Sequence, residues 1–219
     1  MNNMNKSSSN PLSCTWLKKR AEMYSNLAES GLSTLNKVGF HFSDPYDCWV
    51  CVTISIDGKE VVKARLSNVL WGDPVRELID WAESCTGGTS NYCFPFGEGT
   101  DYIFHYENLL FNQREKNGKW LATGIFSLYI KRIGDVQLEY ALCDTKEFLE
   151  SFYNAILDFT KRQEANENVV DDWAWDLYGG LGDQNSEEDR KQAKKMMLDN
   201  MRSPIIEEYI KMKPLIIMN

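Results

Sequence analysis

Histidine is nearly missing: only His41 and His105 could exchange protons near neutral pH without a strongly displaced pKa. Neither is accompanied by a Gly-x-Ser-x-Gly elbow, a phosphate-cradling loop or a dinucleotide fingerprint, so the usual catalytic signatures are excluded. His105 alternates with Ile103 and Glu107 in a strand-like run and reads as a structural or surface residue. Long apolar runs are missing too. None approaches the roughly 20 residues that cross a bilayer, which implies a soluble chain with no membrane role. Residues 1–12 lack the apolar core of a secretory leader, and six cysteines lie scattered through expected helices and strands, the pattern of reduced thiols in a cytoplasm. A positive face is absent as well. The 24 Lys and Arg are dispersed, and Lys18-Lys19-Arg20 reads as one wet helix turn, so no nucleic-acid partner is expected.

The cations are missing most sharply from Glu164 to Asp189, which carries nine carboxylates and not one Lys or Arg. The whole chain is −8, so outside this stretch acids and bases nearly balance. In its middle stands Asp171-Asp172-Trp173-Ala174-Trp175-Asp176-Leu177-Tyr178-Gly179-Gly180. Carboxylates steer a cationic surface and aromatics supply contact area, so Asp171, Asp172, Trp173, Trp175, Asp176 and Tyr178 are the candidate partner-binding residues. The other reading puts the tryptophans in the core and leaves the acids as solubilising charge.

No cofactor or metal is expected. An EF-hand register would need acids or amides where Trp173, Ala174 and Trp175 stand. Cys48-Trp49-Val50-Cys51 spells C-x-x-C, but both thiols are expected in a strand, where residues three apart point to opposite faces, and no second pair completes a zinc site.

The periodicities imply an α+β protein with a mainly antiparallel sheet of about six strands. Residues 1–12 read as a disordered tail, and 13–219 as a single domain with its sheet core over about 45–143 and a helical part over about 144–213. A helix is expected from Cys14 to about Lys37. Alternation over Cys48–Ile56 and Glu60–Leu66 about Asp57-Gly58 makes a hairpin. Asp73-Pro74 opens a helix with the apolar stripe Val75, Leu78, Ile79 and Ala82. Strands follow at Tyr92–Phe96, Tyr102–Phe111, Trp120–Arg132 and Val136–Cys143, the last with Gln137, Glu139, Ala141 and Cys143 towards solvent or a thin cover. Asp144 with Glu147, and Ser186 with Asp189, are helix-start patterns, and a short helix runs from Ile205 to Met212 after Pro204.

The order Trp49–Ile56, Asp57-Gly58, Glu60–Leu66, then Gly72-Asp73-Pro74-Val75-Arg76-Glu77-Leu78-Ile79-Asp80-Trp81 resembles small acidic α+β proteins of bacteria. Many of these are immunity partners of polymorphic or contact-dependent toxins, and the likeness covers about residues 45 to 160. It implies a non-enzymatic cytoplasmic protein that binds a cognate, basic toxin domain and blocks its active site. The alternatives are an enzyme or small-ligand protein with a carboxylate-lined cleft using groups such as Glu107 or Glu139, and a homo-oligomer pairing through Leu215 to Met218.

Overall fold

β-Branched residues at every second position build the first sheet. Strands β1 (Val38–Phe42), β2 (Trp49–Ile56) and β3 (Lys59–Ser67) pair antiparallel in that order. Val50, Val52 and Ile54 face inwards beside Val62, Ala64 and Leu66, all buried. Asp57 and Gly58 both take positive φ, 50° and 81°, which matches a two-residue turn to the twist of its strands. The turn between β1 and β2 is built the same way from Asp47 (φ 49°) and Cys48 (φ 65°), with Tyr46 and Trp49 bridged across it. Cys48 therefore stands in a turn, one residue ahead of β2, and not in the strand expected for the C-x-x-C pair.

The computed structural model describes residues 35–68, 73–87, 92–95, 102–111, 121–132, 138–180 and 182–211. The chain divides into two compact units, Met1–Leu35 and Asn36–Asn219, and every element named here belongs to the second. The expected tail, the body of the first expected helix, Lys18–Arg20 and Leu215–Met218 lie outside the described residues. Leu35–Lys37 are described and are not helical.

A second antiparallel sheet holds β4 (Tyr92–Pro95), β5 (Tyr102–Phe111), β6 (Leu121–Arg132) and β7 (Leu138–Asp144) in that order. The architecture is thus α+β with antiparallel sheets, but the strands fall into two sheets instead of one of about six. Helix α1 (Pro74–Ser84) lies between them in the chain, and the two sheets meet at Asn36. Its N–H donates to the Leu142 carbonyl at 2.7 Å, and its Oδ1 accepts the Leu142 N–H at 2.8 Å. Ala141, Leu142 and Cys143 are all buried, so the end of β7 is covered on both faces, beyond the thin cover its alternation implied.

Local chemistry fixes the helix starts. Asp73 accepts the Val75 and Arg76 N–H groups at 2.9 and 3.1 Å, Asp144 that of Glu147 at 2.9 Å, and the Ser186 hydroxyl that of Asp189 at 3.3 Å. The first two open α1 and α2 (Thr145–Ala165). After them come a π-helical turn (Val170–Ala174), a short α3 (Trp175–Tyr178), α4 (Glu187–Asn200), which Ser186 opens, and α5 (Pro204–Lys211). Helix α2 is the central pillar. Its Phe148 is met edge-on by Phe40 of β1 at 5.3 Å, Phe126 of β6 at 4.8 Å and Trp81 of α1 at 6.0 Å, so one ring ties both sheets to α1.

Arg76 joins α1 to the far end of α4. Its guanidinium donates to the Asn200 and Arg202 carbonyls at 3.1 and 3.0 Å while pairing with Asp80 and Glu83. Arg76→Met should lower stability by about 1–2 kcal/mol in urea unfolding, because it removes the partners of two helix-end carbonyls. Arg76→Lys should recover less than half of that, since a point charge cannot span the same fork. Full recovery by lysine would show that charge alone matters there.

Candidate functional site

Six of the nine carboxylates of the acidic stretch fall into three settings. Glu187, Glu188 and Asp189 lie in the first turn of α4, where carboxylates complement the helix N-terminus. Asp171 is held by both guanidinium nitrogens of Arg190 at 2.6 and 2.8 Å, and this pairing keeps its carboxyl below the usual range. Asp172 and Asp176 form the third group, together with a residue from far earlier in the chain.

The π-helical turn and α3 wind the candidate residues into one helical segment. Asp171 and Asp176 are exposed, and Asp172, Trp175 and Tyr178 are half-buried. Trp173 is 0% exposed and packs in the shared core, so it offers a partner no contact area. Asn68, just after β3, donates to the Trp173 carbonyl at 3.0 Å. Trp175 lays its ring along Gly179, where an added Cβ would lie 2.6 Å from the indole, so that position requires glycine. Tyr178 turns inwards. Its hydroxyl donates to Asp73 and accepts the Asn200 amide at 2.6 Å, tying the segment to the ends of α1 and α4. Burial, then the Asp73 charge, pushes the Tyr178 hydroxyl well above its ordinary range.

What remains outside is joined by the β1–β2 turn. The Cys48 N–H donates to the Asp172 carbonyl at 3.0 Å, and the Cys48 thiol lies 3.5 Å from Asp176 Oδ2. Burial raises the thiol pKa, and its contact with Asp176 and the charges of Asp176, Asp47 and Asp172 raise it further. It stays a protonated donor, unsuited to nucleophilic work. None of those three carboxylates has an ion-pair partner among the described residues, whereas nearby Asp44 is paired with Arg162. Tyr46, at the mouth of the same turn, is 78% exposed. The surface is thus three carboxylates, without an ion-pair partner among the described residues, beside one projecting aromatic on a short, bridged turn. It can attract and orient a cationic surface.

Tyr46 and Asp47 were not foreseen as site residues; the only signal in the sequence is the turn-forming run Ser43-Asp44-Pro45. Among the described residues no group of three His, Cys, Asp or Glu side chains could hold a metal ion, and no helix is long and apolar enough to cross a membrane. Glu139 is half-buried in β7, and Cys48, Cys51 and Cys143 are free thiols. No family model, no curated protein and no solved structure matches the chain.

Proposed function

We propose that this chain is a non-enzymatic binding protein of the immunity type, which neutralises a cognate bacterial toxin domain by direct contact in the cytoplasm. The observation that carries the reading is the gathering of Asp47, Asp172 and Asp176 about Cys48, without an ion-pair partner among the described residues, beside the exposed ring of Tyr46. The carboxylates set association rate and specificity towards a basic partner, and Tyr46 with the open part of Trp175 supplies the contact. Free thiols accord with a reducing compartment.

Co-expression with the product of the neighbouring gene is the test. That product should be toxic alone and tolerated beside this chain; a harmless product, or one still toxic in its presence, removes the reading. In the purified pair, Asp172→Lys with Asp176→Lys should slow association about tenfold or more and weaken its salt dependence. Tyr46→Ala should cost about 2 kcal/mol of affinity, mainly through faster dissociation.

A further inference from the structure

The hydrogen-bonding phase of β1 can be read from four contacts. Ser43 donates to the Cys51 carbonyl at 2.9 Å, and Asp57 donates to the Lys37 carbonyl at 2.8 Å, so odd-numbered residues turn their backbone groups towards β2. Even-numbered residues face outwards. Asn36 does so to reach Leu142, and Phe42 presents its carbonyl to Arg162 Nη2 at 2.5 Å. Between them the N–H and C=O of Phe40 face away from the sheet, and no described residue meets them.

Beside this edge lies a groove of about 360 Å³, walled by residues 40–42 and by Ser151, Asn154, Ala155 and Asp158 of α2. Those four share one flank of the helix, at spacings of three, four and seven. An edge strand alongside a helix flank is the geometry in which an extended chain adds to a sheet. Natural sheets usually cover or charge such an edge, and among the described residues contacts reach it at Asn36 and Phe42.

We propose that this groove is a docking site for an extended peptide segment carrying a cationic side chain, which adds to β1 as a further strand. An extended backbone offers a donor and an acceptor at the spacing Phe40 presents. A second copy fits poorly, because its own β1 is flanked by its own α2 and two helices would have to share one groove. The cation follows from charge. Asp158 and Asp44, 63% and 60% exposed, share among the described residues one cation, the Arg162 guanidinium at the end of the groove, so the group keeps a net negative charge. This site does not depend on the toxin reading.

The test uses the full chain labelled with ¹⁵N and three probes, Thr-Val-Thr-X-Thr-Val-Thr with X as Lys, Ala or Glu. The Lys peptide should shift the Phe40 amide and slow its exchange about tenfold or more, with affinity falling from Lys to Ala to Glu. Ala155→Arg, which fills the groove, should abolish the effect, and Asn154→Trp at an exposed position serves if that variant fails to fold. Tyr46→Ala should leave it intact, which separates this site from the acidic surface. An unmoved Phe40 amide with all three probes, equal binding of the three, persistence in the filled-groove variant, or a doubled mass with Phe40 protected in the absence of peptide would each overturn the proposal.

Discussion

Trp173→Ala lowers stability by about 3–5 kcal/mol, the range for emptying a fully buried large aromatic site. The ring is entirely removed from water within the core that both sheets share, and the turn that carries it cannot collapse freely. Its backbone is held from two directions, by Asn68 on the Trp173 carbonyl and by Cys48 on the Asp172 carbonyl. Trp173→Phe is expected to be much milder, at about 1–2 kcal/mol or less. It gives up volume, but it also removes an indole N–H that is buried without an acceptor among the described residues. Urea unfolding followed by far-ultraviolet circular dichroism distinguishes the two. A loss below about 1 kcal/mol for the alanine variant would place the ring outside the core. If the folded fraction is matched, neither substitution should weaken partner binding as strongly as Tyr46→Ala, because Trp173 offers a partner no surface.

Asp73→Ala is the second large effect, about 2–4 kcal/mol. The carboxylate caps α1 through two N–H groups and accepts the Tyr178 hydroxyl, so its removal orphans three donors in a largely buried place. The effect also depends on pH in a direction that can be worked out. Burial pushes the Asp73 carboxyl above its ordinary value, outweighing the Tyr178 hydroxyl, the Arg76 and Val75 N–H groups and the Arg76 charge, all of which pull it down. A carboxyl raised in the folded state favours folding most when protonated. Its contribution is full below the unfolded value near ~3.9 and is lost as pH rises through the folded value. The gap between wild type and Asp73→Ala should therefore widen as pH falls from about 7 to about 4. Glu77, raised by burial and then by the charges of Asp73 and Asp80, titrates in the same sense, and because Asp73→Ala removes one of those charges its smaller shift in the variant adds to the same widening. A gap that narrows towards acid would mean that the ionised carboxylate and its hydrogen bonds outweigh burial.

These two residues also show how far the sequence could be read. Asp73 was legible because capping is local: Asp before Pro, followed by an apolar stripe, specifies a helix start within four positions, and Asp144, Ser186 and Asp57-Gly58 work in the same way. The burial of Trp173 was not legible. The ring joins a core drawn from both sheets; Asn68 and Cys48, which hold the carbonyls of its turn, lie more than a hundred positions away, and nothing within Asp171–Tyr178 distinguishes an inward indole from an outward one. Strand β1 was missed although Val38, Phe40 and Phe42 alternate with Gly39 and His41, because a run of five residues directly after an expected helix is a weak strand signal. The division into two sheets depends on non-local pairing, with the Asn36–Leu142 contact as its seam. The candidate site was half visible. Asp172 and Asp176 stand out by charge, while Asp47 and Tyr46 reach the same patch only through a turn that two residues with positive φ create.

The tie between Asn68 and Trp173 spans 105 positions, and that between Cys48 and Asp176 spans 128. A chain synthesised from its N-terminus at about 5–20 residues per second makes the segment that closes against β3 roughly 5 to 20 seconds after β3 itself. Throughout that interval the nascent first sheet lacks one of its walls, and the loop that must finally close is long. A ribosome that stalled ahead of Trp173 would present the translating cell with an unfinished apolar surface, which Met197, Met201 and Ile206 of the following segments go on to close.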